Sequence, residues 1–148
     1  MKQKIILRVI SKFLIPYILL FALYVQWHGD FGPGGGFQAG VIFAAGFILY
    51  AMIFGVAAVR EVLPAATTRV LLVIGVLLYT GVGVAGILLG GNFLDYNVLA
   101  DTRTGGQHVG IVLVEFGVGI TVAASVITIF CTFAGRRPEE YKKDYGEN

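Results

Sequence analysis

Phe37 to Val59, FQAGVIFAAGFILYAMIFGVAAV, is a run of 23 residues without a charge. A helix rises 1.5 Å per residue, so about 20 such residues cross the roughly 30 Å of hydrocarbon in a bilayer. The run is continuous rather than alternating. That favours a helix over a barrel strand, because backbone groups in lipid must be satisfied within each segment. Working outward, three further runs meet the same count: Val9 or Phe13 to Trp27, Val70 to Leu89, and Val109 to Phe133, which has one acid inside it. Charged residues make up 14% of the 148, against about 25% in soluble domains, and the mean hydropathy is +0.82. A soluble fold of this size has too little interior to hide so much apolar surface. The reading is an all-α integral membrane protein, a single domain over 1–148 with four transmembrane helices. A secreted disulfide scaffold, a disordered tail and an ordinary cytosolic enzyme are excluded. Cys131, the single cysteine, is read as packing, with neither a disulfide nor a metal site implied.

Basic residues set the expected orientation. Lys2, Lys4, Arg8 and Lys12 precede the first span, Arg60 and Arg69 separate the second from the third, and Arg136, Arg137, Lys142 and Lys143 follow the fourth. These ten face a single Arg103 in the loop between spans three and four. The positive-inside rule then predicts both termini in the cytoplasm. Tyr24-Val25-Gln26-Trp27 is a poor small-residue cleavage site, so the first span is read as retained rather than as a signal peptide. Lys4, Arg8 and Lys12 share one helical face, which predicts a short amphipathic lead-in at the membrane surface, re-aimed into the bilayer at Pro16. Arg60 to Arg69 reads as a ten-residue turn around Leu63-Pro64, and residues 137–148 as a polar cytoplasmic tail. The 19 residues from Gly90 to His108 carry Phe93, Leu94, Tyr96, Val98 and Leu99. A loop so apolar is expected to fold over the bundle or against another chain. Trp27, Tyr24 and Tyr96 read as interface anchors.

Small residues mark the packing faces. Gly36, Gly40, Ala44, Ala51 and Gly55 fall within one narrow face of span two, and Gly86 with Gly90, and Gly119 with Ala123, repeat the spacing in spans three and four. In lipid, such residues let helix backbones approach closely. Packing within the chain is the simplest use, but three such faces exceed what one small bundle needs, which favours contact with other membrane subunits.

Two further features carry candidate chemistry. The turn His28-Gly29-Asp30-Phe31-Gly32-Pro33-Gly34-Gly35-Gly36-Phe37 follows a membrane helix rather than a strand and is not followed by Lys-Ser/Thr, so it is not a nucleotide loop. A tight turn explains it. The stronger version is an irregular, protein-sheltered entry to span two whose free backbone groups meet ions or water. Glu115 is the only ionisable group well inside a span, roughly 9 Å past Val109 at 1.5 Å per residue. A carboxylate there costs several kcal/mol unless neutralised, paired or hydrated. It is protonated, meets a cation or water file, or pairs with a basic residue of another subunit. His108 stands two turns before it on the same face, a plausible start to a proton path, as well as an ordinary helix-end histidine. His28 and Asp30, at the same end, are candidates on the same terms.

The stretch from His28 to Gly40, with its Pro33-Gly34-Gly35-Gly36-Phe37 core running into span two, resembles the signature of the B subunit of Mrp-type multisubunit monovalent cation/proton antiporters, the MnhB family. The four-helix layout, the polar loop after span three and an acid early in span four (Leu113-Val114-Glu115-Phe116-Gly117) are similar as well, over roughly residues 10–133. The resemblance implies a non-catalytic integral subunit, without cofactor or nucleic acid, in a large complex that exchanges Na⁺, Li⁺ or K⁺ for H⁺ in a bacterial or archaeal cytoplasmic membrane. Its partners would be the other antiporter subunits and membrane lipid. Related subunits occur in membrane-bound hydrogenase-type respiratory complexes, and a purely structural scaffold is a further reading. A small dimeric drug/proton exporter fits less well, since such proteins place their membrane carboxylate in the first span. The family pattern has Asp where Glu115 stands, so the longer side chain here shifts the reach of the charge.

Overall fold

The computed structural model describes residues 2–29 and 34–135, with side chains from Ile5 onward. Asp30, Phe31, Gly32, Pro33 and the tail at 137–148 lie outside the described residues. Helix α1 covers Lys2–His28, α2 Gly36–Phe54, α3 Val56–Val62, α4 Ala65–Leu88 and α5 Arg103–Ala134, with a 3₁₀ turn at Tyr96–Val98. Four of these contain stretches long and apolar enough to cross a membrane: Ile5–His28, Gly36–Phe54, Ala65–Leu88 and Arg103–Ala134. The chain is all-α, as its apolar runs require, and a multi-pass membrane protein.

The helices stand in a row, α1–α2–α5–α4, with α1 reaching α5 only in a small contact. Glycine determines who is next to whom. A Cβ on Gly40 would lie 2.7 Å from the Gly119 carbonyl oxygen, and one on Gly75 would lie 2.7 Å from that of Gly117. Conversely, a Cβ on Gly117 would be 2.9 Å from the Gly75 carbonyl, so α4 and α5 interlock through a reciprocal glycine pair. Gly46 plays the same part between α2 and α1, against Leu19. Ala44, Ala51, Val59, Ile127 and Cys131 form the buried core at the other end of the α2–α5 seam. The small faces of α2 and α5 are thus used inside the chain, while large apolar side chains such as Phe13, Leu20, Val73 and Leu77 point outward. Three hydroxyls of α5 are satisfied locally: Thr121, Thr128 and Thr132 each donate to the carbonyl one turn back, at 2.7–2.8 Å, which removes the cost of a bare polar group in lipid.

Several expected boundaries shift. Span two does not run unbroken to Val59. Gly55, at φ 96 and ψ 154, ends α2, and α3 restarts at Val56 to bury Val59. The ten-residue turn at Arg60–Arg69 shrinks to Leu63-Pro64, because helix continues to Val62 and resumes at Ala65. Leu63, held extended by the following proline, forces the break. The lead-in is not a separate element either, since α1 is one helix through Pro16. Gly90 packs against nothing among the described residues of this chain: it has φ 88 and nothing within 4 Å of a would-be Cβ. It closes α4 instead. Its N–H donates to the Ile87 carbonyl at 3.0 Å and that of Gly91 to the Gly86 carbonyl at 2.9 Å, the paired bonds of a Schellman cap. The 4–5 connection does fold onto the bundle, with the Phe93 ring over Gly83 and the Tyr96 ring over Gly110.

Candidate functional site

Span four starts earlier than its apolar run. The Thr102 side chain accepts from the Gly105 N–H at 3.2 Å and caps α5 at Arg103. Glu115 therefore sits twelve residues into α5, about 18 Å from its start, rather than just inside it. The connection between α1 and α2 docks at this level, against the side of α5 rather than beyond its end.

The docking is made of backbone. A Cβ on Gly29 would stand 2.5 Å from both carboxylate oxygens of Glu115, and one on Gly35 would stand 2.9 Å from Oε1. One on Gly36 would collide with the Glu115 carbonyl oxygen. Gly35 is buried at φ 118, a backbone conformation that side chains rarely adopt, and its N–H reaches back to the Val25 carbonyl at 3.3 Å. These glycines are needed because any side chain would occupy the space the carboxylate fills. The carboxylate lies at the N-terminal end of α2, where unpaired N–H groups and the helix dipole favour negative charge. No side chain caps that end from within α2. Gln38 Oε1 lies nearby, 3.8 Å from the same point on Gly35. A half-buried carboxylate among bare backbone and an amide oxygen is chemically able to hold a proton or a hard monovalent cation.

The other predicted residues are only partly drawn together. Gly34, Gly35 and Gly36 line the turn, while Phe37 points outward. His28 ends α1, stacked on Tyr24 with ring centroids 5.2 Å apart. His108 is exposed two turns nearer the start of α5, roughly 10 Å along the axis. Trp27 packs edge-on against Phe116 at 5.1 Å beside the acid. Gly40, Ala44 and Gly119 hold the α2–α5 seam, whereas Gly86 receives the Asn92 carbonyl of the loop instead of a helix. Sequence reading missed Gln26. It is 8% exposed, one turn before Gly29 on α1, with Oε1 against Gly119 and an Nε2 that has no hydrogen-bond partner among the described residues. The available signal was an amide inside an apolar run.

A glycine turn seated on a helix acid is therefore the feature that the rest of the fold positions. Residues 6–128 match the family described as "Domain related to MnhB subunit of Na+/H+ antiporter". The chain belongs to the MnhB family. Its relatives include proteins named "Putative antiporter subunit mnhB2" from Staphylococcus aureus strains Newman and JH1. Each is 34% identical over 139 residues, covering 92% of this chain and 98% of the relative. The match reaches into all four long helices, so both the glycine turn and the acid it meets lie inside the matched region.

Proposed function

We propose that this MnhB chain is a non-enzymatic integral subunit of a multisubunit antiporter exchanging Na⁺, Li⁺ or K⁺ for H⁺, and that Glu115 in its glycine seat forms part of the cation or proton path. The observation that carries this reading is the contact of the Glu115 carboxylate with the backbone of Gly29 and Gly35 at the N-terminal end of α2. An acid serving only as packing would not need a turn stripped of side chains. A titratable relay does need a site where the charged form is tolerated. Other antiporter subunits cover the outward apolar faces, in the cytoplasmic membrane of a bacterium or archaeon. The ten-to-one distribution of basic residues supports both termini lying inside.

Glu115→Gln keeps shape and hydrogen bonding but cannot exchange a proton, whereas Glu115→Asp keeps the proton and withdraws it by one methylene. The expected result is a fully assembled complex in both variants, with cation/proton exchange in everted vesicles reduced at least tenfold by Gln and largely kept by Asp. Wild-type exchange in the Gln variant would remove Glu115 from the path. Loss of assembly in Gln alone would make it an anchor for a basic residue on a neighbouring subunit, which would be left buried and unpaired.

A further inference from the structure

We propose that Gln26 is a positioning residue for Glu115: it holds the end of α1 at the distance from α5 that leaves the carboxylate its room against Gly29. Gln26 and Gly29 stand three residues apart on α1, and Glu115 and Gly119 four apart on α5, so each pair shares one helix face. The two pairs meet as successive rungs. In the first, a Cβ on Gly29 would stand 2.5 Å from both carboxylate oxygens of Glu115. In the second, about 6 Å further along α5, Gln26 Oε1 lies 2.5 Å from where a Cβ on Gly119 would be. The Gly36 carbonyl oxygen lies 3.3 Å from that same point. The amide is wedged where α1, α2 and α5 converge.

The spacing falls to Gln26 because little else sets it. Helix α1 packs mainly on α2 and reaches α5 only in a small contact. Trp27 joins that contact edge-on against Phe116, but it is 63% exposed. The first rung cannot fix the distance, since it sets a bare glycine against the end of a flexible side chain. The second rung can, because a buried side chain presses there on the backbone of two helices. Gln26 Nε2 has no hydrogen-bond partner among the described residues, so packing rather than a bond from that nitrogen keeps the amide in place. What the side chain supplies is length. One methylene more or less across this rung shifts α1 by about 1 Å, a misplacement that can cost about a hundredfold in rate at a reacting group. The effect on exchange rests on the ion-path reading above, whereas the effect on the carboxylate does not.

The test swaps size across the second rung in the assembled complex. Gly119→Ala adds a methyl that Oε1 must vacate, and Gln26→Asn withdraws the amide by one methylene. Two readouts are taken on each preparation. One is cation/proton exchange in everted vesicles; the other is labelling of Glu115 by dicyclohexylcarbodiimide, quantified on its peptide by mass spectrometry. Each single variant should cut exchange about tenfold and raise Glu115 labelling about threefold, as the displaced carboxylate leaves its seat. The double variant should bring both back to within about twofold of the wild type, the non-additivity expected of two groups in contact. Where a single variant fails to assemble, the double variant should assemble. Gln26→Met, which keeps the length and drops the bare donor, should label Glu115 as the wild type does. Unchanged labelling in the assembled single variants, no rescue in the double variant, or faster labelling in an assembled Gln26→Met chain would overturn the proposal. Labelling that rises and is rescued while exchange stays at the wild-type level throughout would keep Gln26 in this role and remove Glu115 from the path.

Discussion

The two connections at one end of the bundle meet helix α5 in opposite ways. Between α4 and α5, the loop supplies side chains and the helices supply gaps: the Phe93 ring fills the space at Gly83, and the Tyr96 ring the space at Gly110. Polar bonds then brace the loop, with the Asn97 amide donating to Asp95 Oδ1 at 2.9 Å and Gln107 Nε2 donating to Asn97 Oδ1 at 3.1 Å. Burial, with Tyr79 adding to it, raises the Tyr96 phenol above its usual pKa, as expected of a ring turned into protein. Between α1 and α2 the roles reverse, and the turn supplies gaps while α5 supplies a carboxylate. One connection is an apolar plug and the other a polar seat. Glycine alone therefore does not define a site; what stands opposite it does.

The largest effects should come from the seat. Gly36→Val would drive a side chain into the Glu115 backbone carbonyl, where no rotamer can give way. The expected outcome is a chain absent from the assembled complex on native gels. Gly29→Ala meets only the end of the flexible Glu115 side chain, so the helix can stay in place while the carboxylate swings aside. That variant should assemble yet lose exchange about as severely as Glu115→Gln. Normal exchange in assembled Gly29→Ala would make the seat an ordinary turn and dissolve the contrast.

The plug should respond more mildly. Gly83→Val displaces the Phe93 ring, which is half exposed already, and overpacking of this kind costs about 1–3 kcal/mol. A lower unfolding temperature and faster proteolysis within residues 89–102 are expected, with exchange per assembled complex unchanged. Exchange lost in step with Gly83→Val would show that the plug, too, belongs to the path.

The sequence reading succeeded where chemistry is regional and failed where it is tertiary. Four apolar runs were legible because crossing lipid demands about 20 residues of one character, whatever they pack against. Glu115 stood out because its setting alone made it costly. Its distance from the helix start was misjudged because apolar counting began at Val109, although Thr102 already marks an N-cap that starts the helix at Arg103. The small-residue faces were real, but their partners are mainly this chain's own helices, which spacing cannot reveal. Gln26 escaped notice because one amide in a run tolerates either a lipid-facing or a buried position, and its place against Gly119 is visible only in the fold.

The smallest expected effects separate two glycines that look alike on paper, Gly55 and Gly90. Both have positive φ, 96 and 88, and neither has an atom within 4 Å of a would-be Cβ, so any substitution penalty is purely conformational. They differ in backbone class. Gly55, with ψ 154, lies in the region nearly confined to glycine, where strain costs about 1–3 kcal/mol for any side chain. Gly90 occupies the left-handed position of a Schellman cap, which asparagine also adopts. Alanine at Gly90 should therefore cost about 1 kcal/mol, and Gly90→Asn should recover most of it, whereas Gly55→Asn should be no better than Gly55→Ala. Thermal unfolding of the four variants in detergent measures the difference directly. Equal recovery by asparagine at both sites would mean that the break between α2 and α3 is an ordinary left-handed cap. The division of span two would then be a loose end of α2 rather than a feature fixed by Gly55.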